Sequence, residues 1–436
     1  MLKMKYMRDE IWDVAVVGGG PAGMMAAGRA AELGAMVVLI EKNDSLGKKL
    51  LITGGGRCNV TNAEFDNRKL LEKFRGNGKF LFSAFSQWDV GKTLDFFHMK
   101  KMETKVEKEQ RVFPVSDKAK SVWETLVRYI QEYKVTVLSK SPVAGVVVEG
   151  KKVIGVKLNN RSTKLGVDKI IYARSVIIAT GGTSRPETGS TGDGYAWLRS
   201  VGHSVTEPTT SLVPLAVKDA WVKKLAGVTL TDIKLTVFQN GKKQDTYKGL
   251  PAQAGKILFT HFGISGPSIL NMSKDIGELL KYGEVIVSLD LLPALDYGKL
   301  NAKLQEVFKE HDKKKLKNSL SSLIPSALVP IAFEFSKINP ETECNSVTRE
   351  ERLTLVKVVK DIPMRIDKLL GADKAIISSG GVSLDEIDFK TMRSRLYPNL
   401  YLIGDILDID RPSGGYSLQL CWTTGFVAGT SATEKN

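Results

Sequence analysis

A glycine-punctuated run near the start of the chain constrains its fold more than any other feature. Val14 to Val17 is a short apolar run with the character of a buried parallel strand. Gly18, Gly20 and Gly23 follow in the spacing G-x-G-x-x-G. Ala22 to Leu33 is alanine-rich and predicts a helix, with Gly34 as its C-terminal stop. Met36 to Ile40 predicts a second strand, which ends at Glu41. A strand, a glycine turn, a helix and a second strand make a complete unit for holding a dinucleotide.

Each part has a physical task. Gly18 permits the tight turn off the strand. Gly20 lets bare backbone approach a pyrophosphate, and Gly23 lets the helix pack against the sheet. The helix start offers free N–H groups and partial positive charge to the phosphates. Glu41 stands where a carboxylate accepts a ribose hydroxyl and repels a 2′-phosphate, and Lys42 beside it joins the expected contacts.

Three later stretches repeat the theme of exposed backbone at a strand end. Thr53 to Asn59 reads T-G-G-G-R-C-N. Gly54, Gly55 and Gly56 can lie against a flat ligand or form an anion nest, and Arg57 can address a phosphate or a substrate carboxylate. Cys58 and Asn59 belong to the same expected loop contact. Val176 to Ala179 predicts a strand running into Thr180 and Gly181, a second backbone approach, and Asp193 is placed to cap the following helix. Leu400 to Ile403 predicts a strand ending at Gly404–Asp405, where an acid can bond polyol hydroxyls. Arg411 to Gln419 (RPSGGYSLQ) then leads into a helix starting near Ser417, with bare backbone at Gly414–Gly415.

The chain has 436 residues, enough for two or three domains. Its formal charge of +15 fits solubility and attraction for a phosphorylated ligand; no nucleic-acid motif surrounds the basic residues, so no nucleic-acid partner is expected. Lys313 to Lys315, with Lys317, is expected on a solvated helix face. Cys58, Cys344 and Cys421 are too few and too widely spaced for a disulfide framework or structural zinc, and no metal site is expected. The start, MLKMKYMRDEIWD, is unlike a signal peptide, and no apolar run is long enough to span a bilayer. The expected location is the cytoplasm, without membrane insertion; nothing in the chain sets an oligomeric state.

The organisation expected is α/β. Residues 1–207 form the first part of the dinucleotide domain and 208–292 a β-rich insert, marked by the hairpin signal Asn240–Gly241. Residues 293–361 form a helical cap, 362–379 return strands to the β-rich insert, and 380–436 complete the first domain.

The motifs together resemble a family of flavoproteins, the aminoacetone oxidases and 3-dehydro-bile-acid reductases. The carriers are VVGGGPAGMMAA (16–27), GKKLLITGGGRCNVTN (47–62), IIATGG (177–182), GSTGDGYAW (189–197), FTHFGISGP (259–267), and YLIGDILDID with SGGYSLQ within 401–419. The resemblance covers nearly the whole chain. It implies FAD, held by a Rossmann-like domain made from both chain ends, with a β-barrel-like insert and a small helical cap. It also implies that Gly18, Gly20 and Gly23 hold the pyrophosphate, that Glu41 takes the adenosine ribose, and that Gly54 to Gly56 lie against the cofactor. Asp405 would take the ribityl chain, with Gly415, Tyr416, Ser417 and Gln419 near the flavin ring. The chain departs from the family pattern at Asp405, where Glu is commoner, at Ser417, where Asn is commoner, and at Ser379–Gly380–Gly381–Val382, where the family often has A-G-G-V.

The expected activity is that of an FAD-dependent oxidoreductase acting on a small molecule. Hydride from NADH or NADPH, taken up transiently, would reduce an activated C=C bond such as a steroid-like enone. Tyr416 and His261 are the candidate proton donors. Two alternatives stand beside this reading: an oxidase of small amines that releases peroxide, and an FAD-containing RNA-binding or regulatory protein.

Overall fold

The computed structural model describes residues 11–74, 76–159, 169–244, 254–371 and 377–434. The expectation that the start is unlike a signal peptide rests mostly on residues 1–10, outside the described residues. Two compact units are present, Met1–Ser211 with Ala375–Asn436, and Leu212–Lys374.

The first unit is built on parallel strands. They are β1 (Trp12–Val17), β2 (Val37–Ile40), β3 (Thr136–Leu138), β4 (Ile170–Ile178) and β5 (Leu400–Leu402), in the spatial order β3-β2-β1-β4-β5. All neighbouring pairs in that row are parallel. Val17 is level with Ile40 on one side and Ile178 on the other, and Ile178 is level with Leu402. The chain order reverses between β1 and β4, so the crevice for a ligand opens beyond these C-terminal strand ends.

The strands β1, β2 and β5 and the end of β4 form because both faces are covered, whereas the edge strand β3 is largely exposed. Val14, Val16, Val38, Leu39, Ile177 and Ile178 are fully buried, which explains a continuous apolar run in place of alternation. Helix α1 (Pro21–Glu32) lies against the sheet, packed by α2 (Ala119–Glu132) and α3 (Tyr416–Ser431). Glycine permits the α1–α3 contact. A Cβ on Gly425 would stand 2.6 Å from the Ala22 carbonyl oxygen, and one on Gly429 would stand 2.5 Å from that of Ala26. This is why α3 carries small residues where an ordinary core helix would carry leucine.

The second unit is a closed antiparallel barrel. Thr229–Gln239, Ala254–Thr260, Gly263–Ser265, Leu215–Val217, Ile362–Leu369 and Val285–Asp290 follow in spatial order, and the last pairs back to the first. Closure removes free sheet edges. The helices Tyr297–Glu310, Val329–Ser336 and Arg349–Lys360 bury Leu300, Leu304, Phe333 and Leu355 in the same apolar core as the barrel's Val287 and Met364. Barrel and helical segment therefore share one apolar core. Two local expectations change. Ile377–Val382 pairs with Val205–Ser211 in the first unit and does not return to the barrel. Lys313 and Lys314 lie in the turn and bend before the helix Leu316–Leu320 and Lys315 bridges to Glu343, so of the expected group Lys317 alone is in a helix.

Candidate functional site: a dinucleotide cleft at the parallel strand ends

The level strand ends open onto a cleft of about 430 Å³ within the first unit. Gly18 and Gly20 follow β1, Glu41 follows β2, Thr180 and Gly181 follow β4, and Asp405 follows β5; all line it. Adjacent strands lie about 4.8 Å apart, so the β2 and β5 ends stand roughly 14 Å apart. The cleft thus has the extended form a dinucleotide needs, with Glu41 at one end and Asp405 at the other.

Gly18 has φ +108°, and a Cβ there would lie 2.4 Å from the Ala179 carbonyl oxygen, so the turn admits only glycine. At Gly20 a Cβ would meet nothing within 4 Å, which leaves open backbone at the start of α1. Gly20 is the N-cap of α1 and makes no side-chain cap, so the first N–H groups remain for phosphate. Gly23 faces away from the cleft; its bare Cα packs on Gly18, whose carbonyl oxygen a Cβ would approach to 1.9 Å.

Glu41 is 8% exposed. Its Oε2 accepts from the Gly19 N–H at 2.8 Å and its Oε1 from the Asn43 N–H at 2.8 Å. Both oxygens keep a lone pair for a ribose hydroxyl. Lys42 reaches across the opening to Thr191 Oγ1 at 2.5 Å and to Asp193 at 2.8 Å. Asp193 therefore does not cap its helix. Gly192 is the N-cap, and the aspartate side chain turns to Lys42.

The far end is cationic. Lys49 lines the cleft and donates to Ser184 Oγ at 3.0 Å. Burial holds its ammonium below the usual lysine range, an effect Asp405 and Cys421 oppose and Arg411 reinforces. Arg411 is 3% exposed. It ion-pairs with Asp405, donates from Nη1 to the Ile409 carbonyl at 2.7 Å, and from Nε to Ser417 Oγ at 3.0 Å. Two of the departures from the family pattern, Asp405 and Ser417, thus meet on Arg411, whereas Ser379 bonds Asp410. Cys421 lines the same end, and burial pushes its thiol up to about 12.

Of the residues expected from the sequence, Gly18, Gly20, Glu41, Lys42, Gly54, Gly55, Thr180, Gly181, Asp405 and Ser417 line the cleft. Gly56, Arg57, Cys58, Asn59, Gly415, Tyr416 and Gln419 do not. Arg57 is held by Glu107 and Asp117 and stacks on Phe113, 4.1 Å from the ring centroid. Cys58 is buried at φ +62°, and burial pushes its thiol up. Asn59 Oδ1 accepts from the Val112 N–H at 3.2 Å. Gly415 brings its backbone against Thr61, within 2.4 Å of where a Cβ would sit. Tyr416 is buried edge-on against Phe74, which raises its phenol pKa. Gln419 is spent inside the core on Thr61, Thr93 and Thr423. His261 belongs to the second unit, exposed in the turn between Ala254–Thr260 and Gly263–Ser265. Lys49 and Arg411 carry no signal of this role in the sequence, because nothing local tells a buried cation from a solvated one.

FAD fits this donor set. Two helices, α1 and α3, begin at glycines without side-chain caps. Thr180 Oγ1 is buried with no hydrogen-bond partner among the described residues, and it belongs to a cleft-lining residue. Gly54 and Gly55, at φ +60° and +68°, leave bare backbone along one wall.

A family model described as HI0933-like protein Rossmann domain matches residues 12–431. The chain belongs to this family, and with it to the FAD-dependent oxidoreductases. It is similar to a 3-dehydro-bile acid delta(4,6)-reductase of Clostridium scindens, 31% identical over 97% of this chain and 99% of that one. It is similar also to a ribosomal RNA dihydrouridine synthase of Escherichia coli, 29% identical over 96% and 97% of the two chains. Among solved structures, a 3-ketosteroid delta1-dehydrogenase from Sterolibacterium denitrificans shares the fold at TM-score 0.55 and 14% identity, covering 98% of this chain and 100% of that one. An E. coli quinol fumarate reductase FrdA carrying a glutamate-to-glutamine mutation does so at 0.54 and 17%, covering 98% and 70%. Among the described residues no helix is long and apolar enough to cross a membrane.

Proposed function

We propose that this protein saturates a C=C bond conjugated to a carbonyl, with NADH or NADPH as electron donor and a steroid- or bile-acid-like enone as acceptor. The observation that carries the reading is the likeness, over both whole chains, to a reductase of a dehydrogenated bile acid. Bound flavin supplies the hydride chemistry; the protein supplies binding, orientation and charge. Gly18, Gly20 and the start of α1 hold the pyrophosphate, Glu41 the ribose, and Asp405 the polyol chain. The reduction also needs one proton at the second carbon. Tyr416 holds its proton firmly but does not line the cleft, whereas Lys49 does line it, with an ammonium that burial inclines to release a proton. Of the three candidates Lys49, Tyr416 and His261, Lys49 is the one that lines the cleft, and it takes the donor's role in this reading.

The test is rapid-mixing reduction of the flavin-loaded protein. NADH or NADPH should bleach the flavin rapidly, and a steroid dienone should restore its colour without oxygen. Bleaching by small amines alone, with peroxide release, would replace this reading with an amine oxidase.

A second reading keeps the chemistry and changes the acceptor. The ring double bond of uracil is also conjugated to a carbonyl, and the likeness to ribosomal RNA dihydrouridine synthases, together with the charge of +15, supports a uridine in RNA. Recolouring of the reduced protein by ribosomal RNA, and not by the dienone, would select it.

A further inference from the structure

Asp405 presents a problem that the cleft itself must solve. A carboxylate at the flavin end disfavours electron uptake there, because two-electron reduction of a flavin builds negative charge on the ring. The side chain of Asp405 is only 15% exposed, so water screens it poorly. Arg411 answers that charge. Its guanidinium side chain is 1% exposed and ion-pairs directly with Asp405. The bond from Nε to Ser417 Oγ, at 3.0 Å, ties the same group to the first turn of α3, and the bond from Nη1 to the Ile409 carbonyl, at 2.7 Å, fixes it from behind. Arg411 does not line the cleft, although Asp405 and Ser417 do. It acts from beneath the surface that the cofactor touches.

We propose that Arg411 is a positioning residue that sets the redox potential of the bound flavin: it cancels the charge of Asp405 while leaving that carboxylate aimed at the cofactor. With Arg411 in place, Asp405 faces two cations, Arg411 and Lys49, and the neighbouring Arg185–Glu187 pair adds no net charge. Without Arg411 the carboxylate stands against Lys49 alone, and reduced flavin loses affinity relative to oxidised flavin. The inference rests on FAD being bound and is independent of which substrate is reduced, so a failed substrate assignment leaves it intact.

The experiment measures the midpoint potential of the bound flavin by dye equilibration in the full chain, together with its dissociation constant for sulfite, which adds to electron-poor flavins. A unit charge about 10 Å away, at an effective dielectric near 20, shifts an equilibrium roughly tenfold. Arg411→Met should therefore lower the ratio of reduced to oxidised affinity about tenfold, a fall of about 30 mV for a two-electron couple. It should weaken sulfite binding by a similar factor. Arg411→Lys should hold the potential near that of the parent, and adding Asp405→Asn to Arg411→Met should restore it. A purely structural arginine would change stability without this pattern of rescue. An Arg411→Met protein that binds FAD with an unchanged potential would overturn the proposal. Should Arg411→Met fail to fold, Asp405→Asn alone decides: it should raise the potential by a similar amount, and an unchanged or lowered potential would overturn the proposal equally.

Discussion

Glu41→Gln tests the most constrained contact in the cleft. The carboxylate accepts from the Gly19 and Asn43 N–H groups, each at 2.8 Å, in a nearly dry setting. A glutamine has one acceptor oxygen and one NH2. One of the two backbone donors must then face the NH2, and a buried donor left without an acceptor costs about 1–3 kcal/mol. The variant should lose that much stability even without FAD. The ribose contact adds a second loss. A hydrogen bond to a charged acceptor contributes about 1.5–3 kcal/mol, so the FAD dissociation constant should rise roughly 10- to 150-fold. The two effects separate experimentally: urea midpoints of the apoprotein report the first, and fluorescence titration with FAD the second. A cofactor analogue lacking the adenosine 2′-hydroxyl should bind the parent more weakly than FAD does, yet distinguish little in the variant. Parent-like stability and FAD affinity together would refute the assignment of Glu41 as both turn anchor and ribose acceptor.

Other consequences follow from packing and titration. Gly425→Ala places a Cβ 2.6 Å from the Ala22 carbonyl oxygen, a backbone atom that cannot step aside, and should cost about 1–3 kcal/mol by overpacking; Gly298→Ala, whose Cβ comes no closer than 3.4 Å to the Asp296 side chain, should be neutral or stabilising by denaturant midpoint. His203 is buried between Glu386, at 2.7 Å, and Ser394, at 2.9 Å, and burial depresses its pKa although Glu386 opposes the shift. The unfolded chain therefore binds a proton first, at about pH 6.5, and stability should decline as pH falls below that value; His203→Gln should flatten this part of the stability–pH curve. All three cysteines are buried, although Cys421 lines the cleft, so with FAD bound a thiol reagent should titrate none in the native protein and three after unfolding.

The elements that sequence reasoning read best are those whose physics is local. The strand β1, the turn at Gly18, the helix α1 and the acid at Glu41 lie within thirty consecutive residues, and each is dictated by short-range sterics or by burial on both faces. The barrel strands around Asn240–Gly241 were legible for the same reason, since a hairpin turn needs positive φ and these residues supply it. Arg57 shows the opposite case. A guanidinium beside three glycines reads as an anion contact, but Glu107 and Asp117 claim it, and only the fold brings those carboxylates within reach. Gln419 was lost to the core in the same way, because buried hydroxyls of Thr61, Thr93 and Thr423 needed partners.

The sequence by itself determined that this chain binds a dinucleotide, where the strand–turn–helix unit begins, and which residue ends its second strand. Backbone geometry at glycine and the free N–H groups of a helix start need no distant partner to be recognised. The tertiary structure alone decided the character of the other end of the cleft. Lys49 and Asp405 stand far apart in the chain, and a cation's role depends on which carboxylate packs beside it and how much water remains. Electrostatics in a buried site is set by neighbours that folding selects, and for that reason Arg411 and Lys49 became visible only once the strand ends had been assembled.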